Sequence, residues 1–126
     1  MFKFSGKRPR DLGVKDGKFT AARTWKPNWV SSQVEATDAH YIAPLKTSIQ
    51  SVAKAVKGMD RAQVVEQKDN YLYAEFSTPL MGYVDDVEFS SDGKGVQVRS
   101  SSRLGVRDFN VNRKRVDAIR GVTEKG

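Results

Sequence analysis

Gly82–Arg115, GYVDDVEFSSDGKGVQVRSSSRLGVRDFNVNRKR, is the stretch that decides the fold. In Val84 to Phe89 the pair Val87 and Phe89, and in Val96 to Ser102 the pair Val96 and Val98, alternate with polar residues, the two-residue period of a half-buried strand. Between them SSDGKG carries Asp92-Gly93, a strong turn signal because glycine accepts a positive φ. The expected unit is an antiparallel hairpin with Phe89 opposite Val96. That register sets Glu88 against Gln97, Val87 against Val98, Asp86 against Arg99 and Asp85 against Ser100. A slip of one residue would turn Val87 and Phe89 to the wrong face.

The same register sorts the charges. Asp86 opposite Arg99, with Glu88 and Glu75 on that face, reads as an exposed ion ladder. Asp85 shares its face with Val87 and Phe89, so it points toward the core, where an ionised carboxylate needs a partner. Ser100, Ser102, Arg103, Asn112 and Arg113 are the candidates. Asp86, Arg99, Ser100 and Asn112 are read as a structural network. Asp85 and Arg103 are also the candidates for acid/base or ligand-binding work, because buried polar clusters perturb carboxylates for either reason.

On the C-terminal side, Asp108 or Asn110 can cap a helix carrying Val111, Val116, Ala118 and Ile119 among Arg113, Lys114, Arg115 and Arg120, with Gly121 as its end. On the N-terminal side, Tyr71 to Thr78 alternates Leu72, Ala74 and Phe76 with Tyr71, Tyr73 and Glu75. Asp69-Asn70 turns it back onto a strand at Gln63 to Lys68. Before that, Ile49, Val52, Ala53 and Val56 fall at i, i+3, i+4 and i+7, a helix capped by Thr47 or Ser48 and stopped at Gly58. The expectation is an α+β domain over residues 44–121: an antiparallel sheet of about four strands, with one helix before and one after it on the same face.

Residues 1–30 differ in kind. They hold eight basic residues against two acidic ones, a balance of +6, whereas the other 96 residues hold fourteen against thirteen, a balance of +1. Gly6, Pro9, Gly13, Gly17 and Pro27 make the segment irregular, yet Phe2, Phe4, Leu12, Phe19, Trp25 and Trp29 are too many apolar groups for a disordered tail. An ordered basic arm packed on the body is expected. Trp25 and Trp29 bracket a Pro27-Asn28 turn step, where they either pack at the domain edge or face a partner.

The chain of 126 residues suits one domain. It has no cysteine, which excludes disulfides and thiolate chemistry. MFKFSGKRPRD lacks the apolar stretch of a secretory signal, and no run approaches the roughly 20 apolar residues of a membrane span. His40 is the only histidine, so a metal site of several imidazoles within the chain is excluded; no cofactor is expected. His40 with Ser31, Ser32 and Asp38 is the one conceivable catalytic triad, set against a histidine packed beside Tyr41. Nucleic acid is not the expected partner, since no recognition helix or RNA-binding aromatic motif accompanies the basicity.

The segments KRPRDLGVKDGKF, PNWVSSQ, DNYLYAEF, GYVDDVEF and VRSSSRLGVRDFNVNRKRVDAIR together resemble the uncharacterised family named domain of unknown function 1499, and most closely its cyanobacterial and plastid branch. Such proteins often carry a cysteine pair flanking the Pro-Asn step, at the positions held here by Arg23 and Trp29, so a redox or metal role for that pair does not transfer. The resemblance implies no established active site.

Charge and composition together point to a non-enzymatic accessory protein that docks on an acidic partner through Lys7, Arg8, Arg10, Lys15, Trp25, Trp29, Arg113, Lys114 and Arg115. The branch resembled implies a peripheral subunit of a thylakoid membrane-protein complex, in the cytoplasm or the plastid stroma. The alternative is a binder or enzyme for a small anionic ligand, built from Asp85, Arg99 and Arg103.

Overall fold

The computed structural model describes residues 6–20, 25–79, 82–105 and 108–124; Phe2, Phe4 and Arg23 lie outside them. The elements run β1 (Val14–Lys15), β2 (Lys18–Phe19), β3 (Trp29–Ser31), α1 (Ile49–Lys57), β4 (Ala62–Gln67), β5 (Tyr71–Ser77), β6 (Val84–Ser91), β7 (Val96–Ser102) and α2 (Val111–Thr123). β1 and β2 form a small hairpin, and the other strands form one antiparallel sheet in the order β3-β7-β6-β5-β4. The fold is α+β, with one helix before and one after the main run of strands.

The sheet has a fifth strand because Trp29–Ser31 adds to the edge of β7, with Trp29 against Ser101 and Ser31 against Arg99. The central hairpin also corrects the expected register by two residues. Phe89 pairs with Val98, Glu88 with Arg99, Val87 with Ser100, Asp86 with Ser101 and Asp85 with Ser102. The cause is a tighter turn. Asp92 Oδ1 accepts the amides of Lys94 and Gly95 at 2.8 Å each, which closes the loop early and lets Ser90 and Ser91 join β6. A shift of two keeps every side chain on its expected face.

One face of the sheet forms the core. Leu72, Ala74 and Phe76 of β5, Val87 and Phe89 of β6 and Val96 and Val98 of β7 meet Ile49, Val52, Ala53 and Val56 of α1 and Val116 and Ile119 of α2 in one buried cluster. Ser48 caps α1, its hydroxyl accepting the Ser51 amide at 3.2 Å, and Gly58 closes it. Ile42 and Leu45, from the connection into α1, complete the cluster, and Leu45 exchanges both backbone hydrogen bonds with Val96 at 2.8 Å.

α2 starts on Asp108 rather than on the Asn110 side chain. Asp108 Oδ1 accepts the Asn110 amide at 2.8 Å and Oδ2 accepts from Asn112 N at 3.3 Å, while Asn110 makes no side-chain cap bond. The helix then runs through Gly121 to Thr123, where the Glu124 amide still reaches Arg120 O at 2.9 Å. Gly121 is therefore not its end.

Candidate functional site

The second face of the sheet carries the charges, and the arm closes over it. Glu88 of β6 is almost fully buried and uses both oxygens. Oε1 accepts from Arg99 Nε at 3.0 Å and from Arg99 Nη2, and Oε2 accepts from the Gly13 amide at 2.6 Å and the Tyr71 hydroxyl at 2.7 Å. Arg99 Nη1 donates to Thr20 O at 2.6 Å and Nη2 to Asp11 O at 3.3 Å, with the guanidinium 5.1 Å from the centre of the Phe19 ring. The arm thus contributes main-chain groups and a ring face to a sheet-borne ion pair.

Next to it lies a second cluster. Arg103 Nε and Nη2 reach Asp86 Oδ2 and Oδ1 at 2.8 and 2.9 Å, a bidentate fork, and Nη2 also lies 2.6 Å from Glu75 Oε2. The Tyr73 hydroxyl sits 2.5 Å from Asp86 Oδ1 and 2.8 Å from Glu75 Oε2, and Arg8 of the arm donates to Glu75 Oε2 at 2.7 Å. Glu75, Asp86 and Glu88 thereby face Arg8, Arg99 and Arg103, three charges against three. Apart from Arg8, which stays half exposed, the expected exposed ladder is a buried, balanced network. Asp86 pairs with Arg103, and Arg99 pairs with Glu88, because the register places Glu88 opposite Arg99.

These surroundings shift the titrating groups. Burial raises the Glu75 carboxyl, but the hydrogen bonds from Arg8 and Tyr73 and the charge of Arg103 outweigh it and hold the group below its ordinary value of 4.5. Burial, then the bond to Glu88, pushes the Tyr71 phenol far above its ordinary 10.0; burial, then Asp86 and Glu75, does the same to Tyr73. Asp92 is lowered by Gln97 and by the Lys94 and Gly95 amides. A lowered carboxyl gives stability that is present above its unfolded value and lost as pH falls through the folded one. A raised phenol gives stability that is present below its unfolded value and lost as pH rises. The urea midpoint is therefore expected to be flat from about pH 5 to about pH 9.5 and to fall on both sides, with the tyrosinate absorbance of Tyr71 and Tyr73 appearing together with alkaline unfolding.

On the core face, Asp85 does point inward, and its partner is Arg115 of α2, at 2.8 Å from Oδ2. Arg115 also stacks 4.7 Å from the Phe76 ring centre and donates to Asn112 Oδ1 at 3.1 Å. Asn112 is fully buried. Its Oδ1 accepts from Ser100 Oγ at 2.5 Å, and its Nδ2 lies 2.7 Å from Asp108 Oδ2, 2.9 Å from Ser102 Oγ and 3.1 Å from Asn28 O. The expected network of Asp86, Arg99, Ser100 and Asn112 is thus two networks on opposite faces. Asp85 does not meet Arg99 or Arg103, which removes that trio as one anion site. Arg115 had no place among the expected partners of Asp85, because the helix phase that points it at β6 is set by packing.

The remaining candidates separate clearly. His40 stacks on Trp29 with centroids 3.8 Å apart, and Nδ1 and Nε2 lie 2.7 Å from Asp38 Oδ1 and 2.9 Å from Lys26 O. Ser31 Oγ accepts the Gln33 amide, and Ser32 Oγ bonds Gln97 and Val98, so neither hydroxyl completes a triad with His40. Trp29 is buried and Trp25 is 77% exposed. Arg113 donates to Tyr41 O and Ala39 O, and Arg120 to Ala43 O and Pro44 O, which ties both to the loop before α1. Of the three expected docking residues on α2, Lys114 alone is exposed. On the arm, Lys7, Arg10 and Lys15 are exposed, and Arg8 keeps half its side-chain surface while bonding Glu75. Among the described residues, no group of three or more acids and histidines is arranged to hold a metal ion, and no helix is long and apolar enough to cross a membrane.

A family model described as Protein of unknown function (DUF1499) matches residues 21–122. The chain belongs to that family. The DUF1499 match spans the five-stranded sheet and carries both buried networks, whereas the arm at 6–20 lies before it. The DUF1499 body therefore supplies Glu75, Asp86, Glu88, Arg99 and Arg103, and the preceding arm supplies the groups that cover them. No curated protein and no solved structure gives a match.

Proposed function

We propose that the chain is a non-enzymatic docking protein whose arm meets an acidic partner surface. The observation that carries this reading is the arm hairpin. Lys15 stands directly opposite Lys18 across the Asp16-Gly17 turn, and both are exposed. Like charges in a cross-strand pair oppose hairpin formation and favour an acidic surface that neutralises them. Lys7 and Arg10 add exposed charge on the same arm. The inner side of the arm is engaged with Glu88, Arg99 and Glu75, so it is anchored by one side and basic on the other. A peripheral subunit of a thylakoid membrane-protein complex is the specific form of this proposal, in keeping with the branch the chain resembles.

The test is co-purification from the native source with a tagged full-length chain. The wild type should retain a stable partner at low salt and release it as salt rises, since exposed charge pairs are screened. Lys15→Glu with Lys18→Glu should lose the partner without a change in urea midpoint. Retention by that folded variant would overturn the reading.

A further inference from the structure

At the end of the sheet where β6 begins and β7 ends, a cavity of about 480 Å³ opens beside the start of α2. Its walls include Tyr83, Val84, Leu104, Phe109 and Val111. Two polar groups from adjacent strands stand among them, Asp85 and Ser102, which are register partners on the core face. Such neighbours have Cβ atoms about 4.5–5.5 Å apart, close enough to meet one small polar group between them.

Each has hydrogen-bonding capacity left. The Asp85 side chain is 7% exposed, and Arg115 engages its Oδ2; among the described residues, Oδ1 has no partner. Ser102 Oγ accepts from Asn112 Nδ2 at 2.9 Å, and its own proton has no acceptor among the described residues. Asp108, the other acid lining the cavity, is fully used in capping α2 and holding Asn112. One acceptor and one donor side by side in an apolar chamber describe the complement of a hydroxyl group, which donates one hydrogen bond and accepts another. The volume lies within the roughly 300–1,000 Å³ of small-molecule sites, and apolar walls with a few placed polar groups are their usual construction.

We infer that this cavity binds a small apolar molecule ending in a hydroxyl, with the hydroxyl donating to Asp85 Oδ1 and accepting from Ser102 Oγ. An anionic head group is excluded by the Asp85 carboxylate at that position. None of the lining residues belongs to the arm at 6–20, and the inference stands or falls independently of the docking proposal.

The experiment titrates the full-length, isotope-labelled protein with 2-naphthol, naphthalene and 2-naphthoate at neutral pH, following backbone amide shifts. Saturable shifts at Ser102, Gly105 and Val111 are expected with 2-naphthol, at least about tenfold tighter than with naphthalene, as two hydrogen bonds including one to a charged group imply. 2-Naphthoate should leave those amides unmoved. Asp85 is a poor position to change, because its loss strands Arg115. Ser102→Ala should instead weaken 2-naphthol about fivefold and leave naphthalene unaltered, and Val111→Trp should fill the chamber and remove both. Absence of saturable shifts with 2-naphthol, equal binding of naphthalene, or binding unchanged by Val111→Trp would overturn the inference.

Discussion

Arg99→Ala is expected to lower the stability of the fold by about 3–5 kcal/mol, the usual cost of removing one partner from a buried ion pair. The reason is specific to this site. Arg99 is 3% exposed at its side chain and Glu88 is 2% exposed, so the carboxylate left behind would keep only the Gly13 amide and the Tyr71 hydroxyl. The arm would lose its hold at Thr20 O and Asp11 O in the same step. Urea unfolding should show a lower midpoint for the sheet, and limited proteolysis should show earlier cleavage in the arm. Glu88→Leu with Arg99→Met removes both charges and should recover much of the loss, since a buried pair can often be replaced by apolar groups of similar volume. A folded Arg99→Ala variant of wild-type stability would mean that the pair contributes nothing to the fold.

Asn112→Leu is expected to cost about 3 kcal/mol, although leucine matches asparagine closely in size. The fully buried amide serves Ser100, Ser102, Asp108 and the Asn28 carbonyl, and it holds Arg115 beside Asp85. Leucine leaves several of these buried groups unsatisfied, at about 1–3 kcal/mol for each group that finds no new partner. Hydrogen exchange should accelerate first at the N-terminal turn of α2 and along β3, because Asn112 ties that turn to Asn28 just before β3. Exchange that rises uniformly through the sheet instead would show that Asn112 is not the tie between these elements.

What was legible in the sequence followed from period and turn chemistry. The apolar spacing of Ile49, Val52, Ala53 and Val56 and the Asp92-Gly93 step located α1 and the central hairpin. The hairpin register was not legible, because a two-residue shift leaves the hydrophobic pattern intact and is decided by how Asp92 closes the turn. β3 is not legible because three residues are too few to display a period, and its strand geometry comes from pairing with β7. Alternation in a half-buried sheet puts polar groups outward, so the sequence places the charged face toward solvent. The arm reverses that through the Gly13 amide and the Asp11 and Thr20 carbonyls, groups present in any sequence and so without a signature. Asp85 was the reverse case. Its inward direction followed from alternation with Val87 and Phe89, while Arg115 as its partner required the packed helix.

The central claim is that the charges under the arm are internal to the fold and do not meet the partner, and that the charges on its outer side bind it. The direct measurement is partner retention from the native source by two full-length variants, each checked for folding by urea unfolding. Glu88→Leu with Arg99→Met should keep the partner, and Lys15→Glu with Lys18→Glu should lose it. The opposite result, a folded Glu88→Leu/Arg99→Met protein without its partner beside a Lys15→Glu/Lys18→Glu protein that retains it, would contradict the account.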